Sequence, residues 1–205
     1  MCRAESFETM SLTSTPWRSL LARALHKNRS LPYARYFQLA TVRANGLPAN
    51  RTVVFRGFLD DTNQLKIITD SRSQKADQIQ NQSWGEACWY FPKTREQFRL
   101  AGQLTLVEAD HPDQALKNAR QTTWQDISDA ARVQFAWPDP GKARIEDDAA
   151  FSPPSPDPEQ PLPNFCLLLL EPVEVDHLEL RGDPQTRSLY QQNSSREWFM
   201  QAVNP

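Results

Sequence analysis

The apolar positions of this chain predict a protein built mainly from short antiparallel strands. In residues 96–107 the apolar Phe98 and Leu100 alternate with polar neighbours, which is the period of a strand with one buried face. The Asn45-Gly46 pair is a strong turn signal and predicts a hairpin between the first two strands. Six main strands are predicted at residues 36–42, 50–58, 65–69, 86–91, 96–107 and 165–175, with shorter pieces at 178–180, 189–190 and 197–200.

Helical periodicity is confined to three segments. Pro16 suits the first position of a helix, and from Trp17 onwards apolar residues recur at i, i+3, i+4, i+7 and i+8. A short helix is predicted after the third strand, capped either by Ser71 in a capping box or by Ser73. Residues 111–132 predict a further helical region in two pieces. Together these patterns predict an antiparallel β-barrel with peripheral helices.

Residues 138–163 differ in composition from the rest of the chain. Eight of the sixteen prolines lie in these 26 residues, together with many acidic side chains. That proline density excludes a helix or a central strand. We predict either a loop or an ordered extended arm, which would act as a lid if it covers a site. Trp124 and Trp137 precede it, and they either pack in the core, the commoner use of tryptophan, or shape a pocket.

Composition excludes several classes of protein. The 205 residues carry a net charge of −2, which argues against a nucleic-acid or membrane-surface partner. The three cysteines are far apart and form no CxxC pair, so neither a disulfide framework nor a zinc site is expected. The first ten residues lack the apolar stretch of a signal peptide, and the apolar run 165–170 is too short to span a bilayer. We therefore expect a cytoplasmic protein.

Candidate chemistry gathers where the third strand meets the following helix. Thr69 ends the strand, and Arg72, Ser73 and Lys75 open the helix. Cations, hydroxyl groups and the free N–H groups of a helix N-terminus together suit a phosphate group. Arg51, on the preceding predicted strand, would supply a further cation. This stretch is therefore the candidate phosphate site.

Common catalytic motifs are missing from the sequence. There is no GxGxxG, GxSxG, HExxH or GxxxxGK[ST] pattern, and the three histidines are dispersed. No catalytic residue and no metal site is predicted. A cofactor is therefore expected to carry any chemistry.

Several segments, in order between residues 35 and 190, resemble the pyridoxamine 5′-phosphate oxidase superfamily of FMN-binding split barrels. Trp124-Gln125 and the segment from Gln134 to Pro138 resemble its oxidase-related branch in cyanobacteria and plants. The segments that match family motifs are Arg51-Thr52-Val53-Val54-Phe55-Arg56, Ile68-Thr69-Asp70 with Ser73-Gln74-Lys75, Arg95-Glu96-Gln97-Phe98-Arg99-Leu100-Ala101-Gly102, Pro161-Leu162-Pro163-x-Phe165 and Arg187-x-Leu189-Tyr190.

The resemblance implies a mainly β (α+β) domain over residues 14–205, an antiparallel six-stranded FMN-binding split β-barrel with peripheral helices, after a disordered segment 1–13. It implies FMN at the interface of a homodimer and a small-molecule substrate. Gln97 would face the pyrimidine end of the flavin, and Gln134 would reach the phosphate side from the second subunit. The cofactor-binding residues so implied are Arg51, Thr52, Val53, Val54, Phe55, Arg56, Ile68, Thr69, Arg72, Ser73, Gln74, Lys75, Gln97, Gln134 and Arg187.

Departures from the family pattern bear on the substrate. Arg56 stands where the family has a substrate-binding lysine, and Leu180 where a tryptophan packs the flavin. Residues 182–186 replace the late Arg-x-His that holds the substrate phosphate. We therefore expect an FMN-dependent oxidoreductase with a substrate other than pyridoxamine phosphate. The alternative is a non-catalytic flavin-binding module. A barrel that binds single-stranded nucleic acid is disfavoured, because the chain is slightly acidic.

Overall fold

Eight antiparallel strands form one sheet in the computed structural model, which describes residues 15–205. The predicted disordered segment 1–13 lies outside these residues. The strands are β1 Tyr36–Val42, β2 Pro48–Val54, β3 Leu65–Asp70, β4 Trp84–Phe91, β5 Glu96–Val107, β6 Phe165–Glu179, β7 Thr186–Gln192 and β8 Trp198–Val203.

Six of these strands close into a barrel through the long strand β6. The order β2-β1-β4-β5-β6 continues to β3, which pairs with the first half of β6. Beyond β2, the Arg56 N–H donates to the Lys66 carbonyl and the Lys66 N–H to the Gly57 carbonyl, each at 2.8 Å. These bonds complete the circuit, so the predicted six-stranded barrel is confirmed. The β7–β8 hairpin extends the sheet from the second half of β6.

Two of the differences between the observed and the predicted strand boundaries affect the barrel. Strand β2 ends at Val54 rather than at 58, because Gly57 adopts a φ of +108° that breaks the ladder and leaves one bridge, from Phe58 to Leu65. The predicted piece 178–180 is not a separate strand. Strand β6 runs unbroken to Glu179 and crosses a register shift of its partner β5 at Ala101/Gly102.

Four α-helices decorate the barrel in the described range. They are α1 Pro16–Asn28, α2 Gln74–Asn81, α3 Gln114–Asp126 and α4 Asp129–Arg132. Ser73 caps α2, since its Oγ accepts from the Ala76 N–H at 3.4 Å, and Ser71 is not the cap. Between 138 and 163 the chain consists of turns and irregular loop with one 3₁₀ helix, Asp148–Phe151, and contains no α-helix or strand. None of the helices in residues 15–205 has the length and apolar character needed to cross a membrane.

An aromatic chain fills the barrel. Trp89 packs against Phe37, Phe55 and Phe91 with ring centroids 5.0–5.1 Å apart. Trp124 belongs to a separate cluster with Phe135 and Phe165 and is fully buried. For Trp124 the core-packing alternative is therefore correct. The rigid barrel fixes the ends of β2 and β3, and these ends carry the candidate site.

We predict that Gly102→Ala destabilises the barrel. A Cβ at this position would lie 1.9 Å from the Glu171 carbonyl oxygen, so the backbone of β5 or β6 must shift. The expected cost is about 1–3 kcal/mol of unfolding free energy, measured as a lower urea midpoint at unchanged slope. Thr105→Ala on the same strand is the control. Equal midpoints for Gly102→Ala and the wild type would contradict the close approach of β5 and β6.

Candidate functional site

A cavity of about 720 Å³ opens between β2, β3, the N-terminus of α2 and the chain from 131 to 151. Eleven of the fifteen predicted cofactor-binding residues line it. These eleven are Arg51, Thr52, Val53, Val54, Arg56, Ile68, Thr69, Arg72, Ser73, Lys75 and Gln134. The volume and the mixture of apolar and cationic lining suit a ligand with a flat ring system and an anionic group.

Four predicted residues lie away from this cavity. Phe55 points into the barrel core, where it is 6% exposed, and Gln74 is the exposed first residue of α2. Gln97 and Arg187 share one row across the sheet, because both pair with Leu178 of β6. Neither Gln97 nor Arg187 reaches the cavity of its own chain.

Gln134 lines the cavity of its own chain. Its side-chain amide donates to the Ala130 carbonyl at 3.1 Å. The expectation that Gln134 reaches the phosphate side from a second subunit stays a prediction. The short helix α4 and the turn after it carry Gln134 to the cavity rim.

Lys75, Thr69 and Ser73 form the polar centre of the cavity. The Lys75 Nζ donates to the Thr69 hydroxyl, which lies 3.4 Å from the Ser73 hydroxyl. Burial, followed by repulsion from Arg51, lowers the pKa of Lys75 to about 8. A bound anion would favour the charged form of this lysine, and it would accept hydrogen bonds from the ammonium group.

Arg51 is held rigidly by neutral groups. Its Nη1 donates to the carbonyls of Leu39 and Ala49 and, at 2.6 Å, to the Thr41 hydroxyl; its Nη2 donates to Gln78 Oε1 at 2.9 Å. No carboxylate of residues 15–205 forms an ion pair with it. Burial and then the proximity of Arg43 lower the pKa of Arg51. This guanidinium is fixed in place with its charge uncompensated.

Arg72 is bound by the protein itself. It pairs with Asp70 at 2.7 Å and with Asp139 at 3.0 Å, and it donates to the carbonyls of Phe135 and Trp137. The hydrogen bond with Asp70 raises the pKa of Arg72. Burial opposes ionisation of Asp70, but the hydrogen bonds from Arg72 and Asn164 outweigh it and lower the pKa of that carboxyl. Arg72 therefore joins β3 to the chain around 135–139 rather than offering a free cation.

The segment Trp137–Phe151 forms one wall of the cavity and is hereafter the arm. The rings of Trp137 and Phe151 pack edge to face at 6.0 Å. The Arg144 guanidinium lies 4.6 Å from the Phe151 ring centroid. Arg144 also pairs with Asp148 at 3.0 Å. Asp139 joins this segment to Arg72, and the choice between a loop and an ordered extended arm for the whole proline-rich region stays a prediction.

The cavity carries an excess of positive charge and two unsatisfied donors. Six cationic side chains line it against the two carboxylates that Arg72 binds. The buried Arg56 Nε and Trp137 Nε1 have no hydrogen-bond partner among the described residues. Buried donors without partners are rare in proteins, and a ligand bound in the cavity could accept from these two. These features fit a phosphorylated cofactor.

Sequence reasoning missed the contribution of the arm. Lys142, Arg144 and Ile145 line the cavity although they lie more than sixty residues from the motifs of β2 and α2. The sharp rise in proline content marked the segment as exceptional. No motif indicated which of its side chains turn inwards, because that depends on how Arg72 anchors it.

A second cluster of titratable side chains lies around Glu96, the first residue of β5. The buried His177 Nε2 lies 3.0 Å from Glu96 Oε2, and its other ring nitrogen lies 3.9 Å from Glu179. Arg23 approaches both carboxylates at 3.7 and 3.8 Å. Arg23 offsets one of the two carboxylate charges, and these contacts form an ion network apart from the cavity.

A closed barrel with cations, hydroxyl groups and a helix N-terminus in one cavity is typical of proteins that bind phosphorylated cofactors. The comparisons agree with this class. Residues 14–108 match the family model described as "Pyridoxamine 5′-phosphate oxidase, FMN-binding domain". Over 192 residues the chain is 36% identical to pyridoxine/pyridoxamine 5′-phosphate oxidase 2 of Arabidopsis thaliana, covering 93% of this chain and 97% of the relative.

Solved structures give the same result. A pyridoxamine 5′-phosphate oxidase-related, FMN-binding protein of Nostoc punctiforme PCC 73102 superposes with a TM-score of 0.92 at 64% identity, covering 95% of this chain and all of that one. PhzG of Burkholderia lata 383, in complex with tetrahydrophenazine-1-carboxylic acid, has a TM-score of 0.77 at 18% identity, covering 97% and 95%. PhzG shows likeness of fold alone. The chain belongs to the pyridoxamine 5′-phosphate oxidase family and carries its FMN-binding domain.

We predict that Arg72→Ala loosens the arm and destabilises the protein by about 2 kcal/mol, because it leaves Asp70 half-buried without its main partner. Since the pKa of Asp70 is lowered in the folded state, the difference from wild type is full above about pH 4 and shrinks as the pH falls further. Urea unfolding at pH 7 and pH 3 measures both values.

Arg144→Ala is the matched control for this prediction. It removes the exposed pair with Asp148 from the same segment, and we expect a loss below about 1 kcal/mol. If Arg72→Ala and Arg144→Ala cost the same, or if the cost of Arg72→Ala does not change with pH, the anchoring role of Arg72 is wrong.

Proposed function

We propose that this protein is an FMN-dependent oxidoreductase that acts on a small anionic molecule, as a homodimer in the cytoplasm. The observation that supports this most directly is the cluster of Arg51, Lys75, Thr69 and Ser73 at the N-terminus of α2. Two cations without acidic partners, two hydroxyl groups and free helix N–H groups match a phosphate monoester of charge near −2.

The remaining cavity suits the ring system of a flavin. Strand β2 runs along it from Arg51 to Arg56, and Val53 and Val54 line it. When bound, FMN would supply the chemistry, a hydride transfer between a substrate and its ring. The protein would hold the phosphate at α2, present the edge of β2 to the ring, and exclude water with the arm.

Arg56 supports an anionic substrate. It lies five residues beyond Arg51, which is roughly 17 Å along an extended strand, too far for both to bind one phosphate. Its buried Nε has no partner, and no ion pair with a described carboxylate involves it. Burial, then Arg35, lowers the pKa of Arg56. An anionic group on the substrate would relieve this cost. The family has a substrate-binding lysine at the same place.

The position of Arg187 supports a second copy of the chain at each site. Arg187 pairs with Asp176 of its own chain at 2.8 Å, and it does not line the cavity of its own chain. Gln97 lies in the same row on the outward face of the sheet. The exposed Tyr36 and Tyr90 give this side of the barrel apolar surface for a partner.

A non-catalytic flavin-binding module is the second candidate. The carboxylates that line the cavity, Asp70 and Asp139, are both held by Arg72 and are poor candidates for a general base. The late Arg-x-His of the family is also missing. These two observations favour a module, whereas Arg56 favours an enzyme.

The visible spectrum of the purified protein, followed by release and identification of any chromophore, tests flavin binding. We expect FMN, or uptake of added FMN by a colourless apoprotein. A colourless protein that does not take up added FMN contradicts both candidates. Stopped-flow reduction of the loaded protein by nicotinamides, with oxidase assays on pyridoxamine phosphate, separates enzyme from module. We expect poor turnover of pyridoxamine phosphate, and turnover equal to that of an authentic oxidase would overturn our substrate assignment.

We predict that FMN affinity is nearly constant between about pH 6.5 and 8 and falls above pH 8. The pKa of Lys75 is lowered to about 8, and its uncharged form cannot attract the phosphate. Lys75→Gln should weaken binding at pH 7 by about tenfold to a hundredfold and remove the fall above pH 8. Fluorescence titration of FMN measures both effects. Identical pH profiles for the variant and the wild type would show that Lys75 is not at the phosphate.

Mixed dimers test whether two chains build one site. If Lys75 of one chain and Arg187 of the other contact the same FMN, a dimer of Lys75→Gln with Arg187→Ala holds one intact site and one doubly altered site. We expect wild-type affinity at half occupancy in this tagged heterodimer and weak binding in each homodimer. Two equally weakened sites would mean that Arg187 and Lys75 act on the same chain's ligand, and a monomer in solution would exclude the shared site.

A further inference from the structure

The arm brings one more cation to the phosphate end of the cavity. Asp139 binds Arg72 at 3.0 Å. A Cβ on Gly141 would lie 3.8 Å from the side-chain Nε2 of Gln74. Arg72 and Gln74 flank Ser73, the cap of α2. The arm therefore passes directly over the helix N-terminus.

Lys142 follows Gly141 and lines the cavity. No hydrogen bond or ion pair to another residue of 15–205 involves its ammonium group. Arg144, the other cation of the arm in the cavity, is already paired with Asp148 and stacked on Phe151. Of the two, Lys142 is the exposed side chain that no described residue pairs with.

The phosphate end lacks a cation that its motif would lead one to expect. Gln74 is neutral at the position where the resembling Ser-Arg-Lys motif has arginine, and Arg72 is neutralised by Asp70 and Asp139. The contacts that neutralise Arg72 are the same contacts that dock the arm.

We propose that Lys142 binds the cofactor phosphate, so that the proline-rich arm is part of the FMN site rather than a passive cover. This inference rests on the proposed function, because it requires FMN with its phosphate at α2. The arm is anchored through Arg72, which binds the Trp137 carbonyl and Asp139, and its two ends pack together through Trp137 and Phe151. The backbone that carries Lys142 is thus held at the cavity before the ligand arrives, which reduces the entropy cost of binding.

Binding of FMN and riboflavin to the apoprotein tests the proposal, because the two ligands differ by the phosphate alone. For Lys142→Ala we expect about tenfold weaker FMN binding and unchanged riboflavin binding. Lys142→Arg should retain most of the preference for FMN, since it keeps the charge. Lys27→Ala, an equal charge change on the exposed surface of α1, is the control and should alter neither affinity.

The outcomes separate this inference from the function on which it rests. A wild type that binds FMN no better than riboflavin contradicts the placement of the phosphate at α2. A wild-type preference that Lys142→Ala retains in full overturns the role of Lys142 alone. Equal weakening of both ligands also overturns it, because Lys142 would then support the arm rather than the phosphate. Riboflavin binding serves as the internal check that the variant is folded.

Discussion

The pairing of β6 on both edges is the constraint on which the rest of this structure depends. Its fifteen residues bond to β5 along their length, to β3 over the first half and to β7 over the second. The first half closes the barrel and places the end of β3 beside β2. The second half pairs with β7, and Arg187 on that strand does not line the cavity. One strand thus determines which residues share a cavity and which lie outside it.

Charge is divided unequally within the cavity. Arg72 forms ion pairs with Asp70 and Asp139, and these pairs join the arm to the end of β3. Arg51 and Lys75 are held by neutral groups, and burial lowers the pKa of each. A protein that keeps uncompensated cations in a half-buried site loses stability unless an anion binds there. The cavity is therefore best explained as a site for an anionic ligand.

The arm changes the meaning of the family pattern. In the sequence, Gln74 and the missing Arg-x-His look like losses of function. In the structure, the arm delivers Lys142 and Arg144 to the same cavity. The cavity of this chain therefore contains cationic side chains that lie outside the matched FMN-binding domain of residues 14–108.

The sequence by itself determined the strands, the cap region of α2 and the gathering of Arg51, Thr69, Ser73 and Lys75, because two-residue alternation, turn residues and a short motif are local signals. Tertiary structure decided that Arg72 is paired with two carboxylates, that the arm lines the cavity and that Arg187 lies outside the cavity. Those outcomes depend on partners far along the chain, such as Asp139 for Arg72 and β6 for Arg187. Local periodicity carries no information about which distant groups will meet.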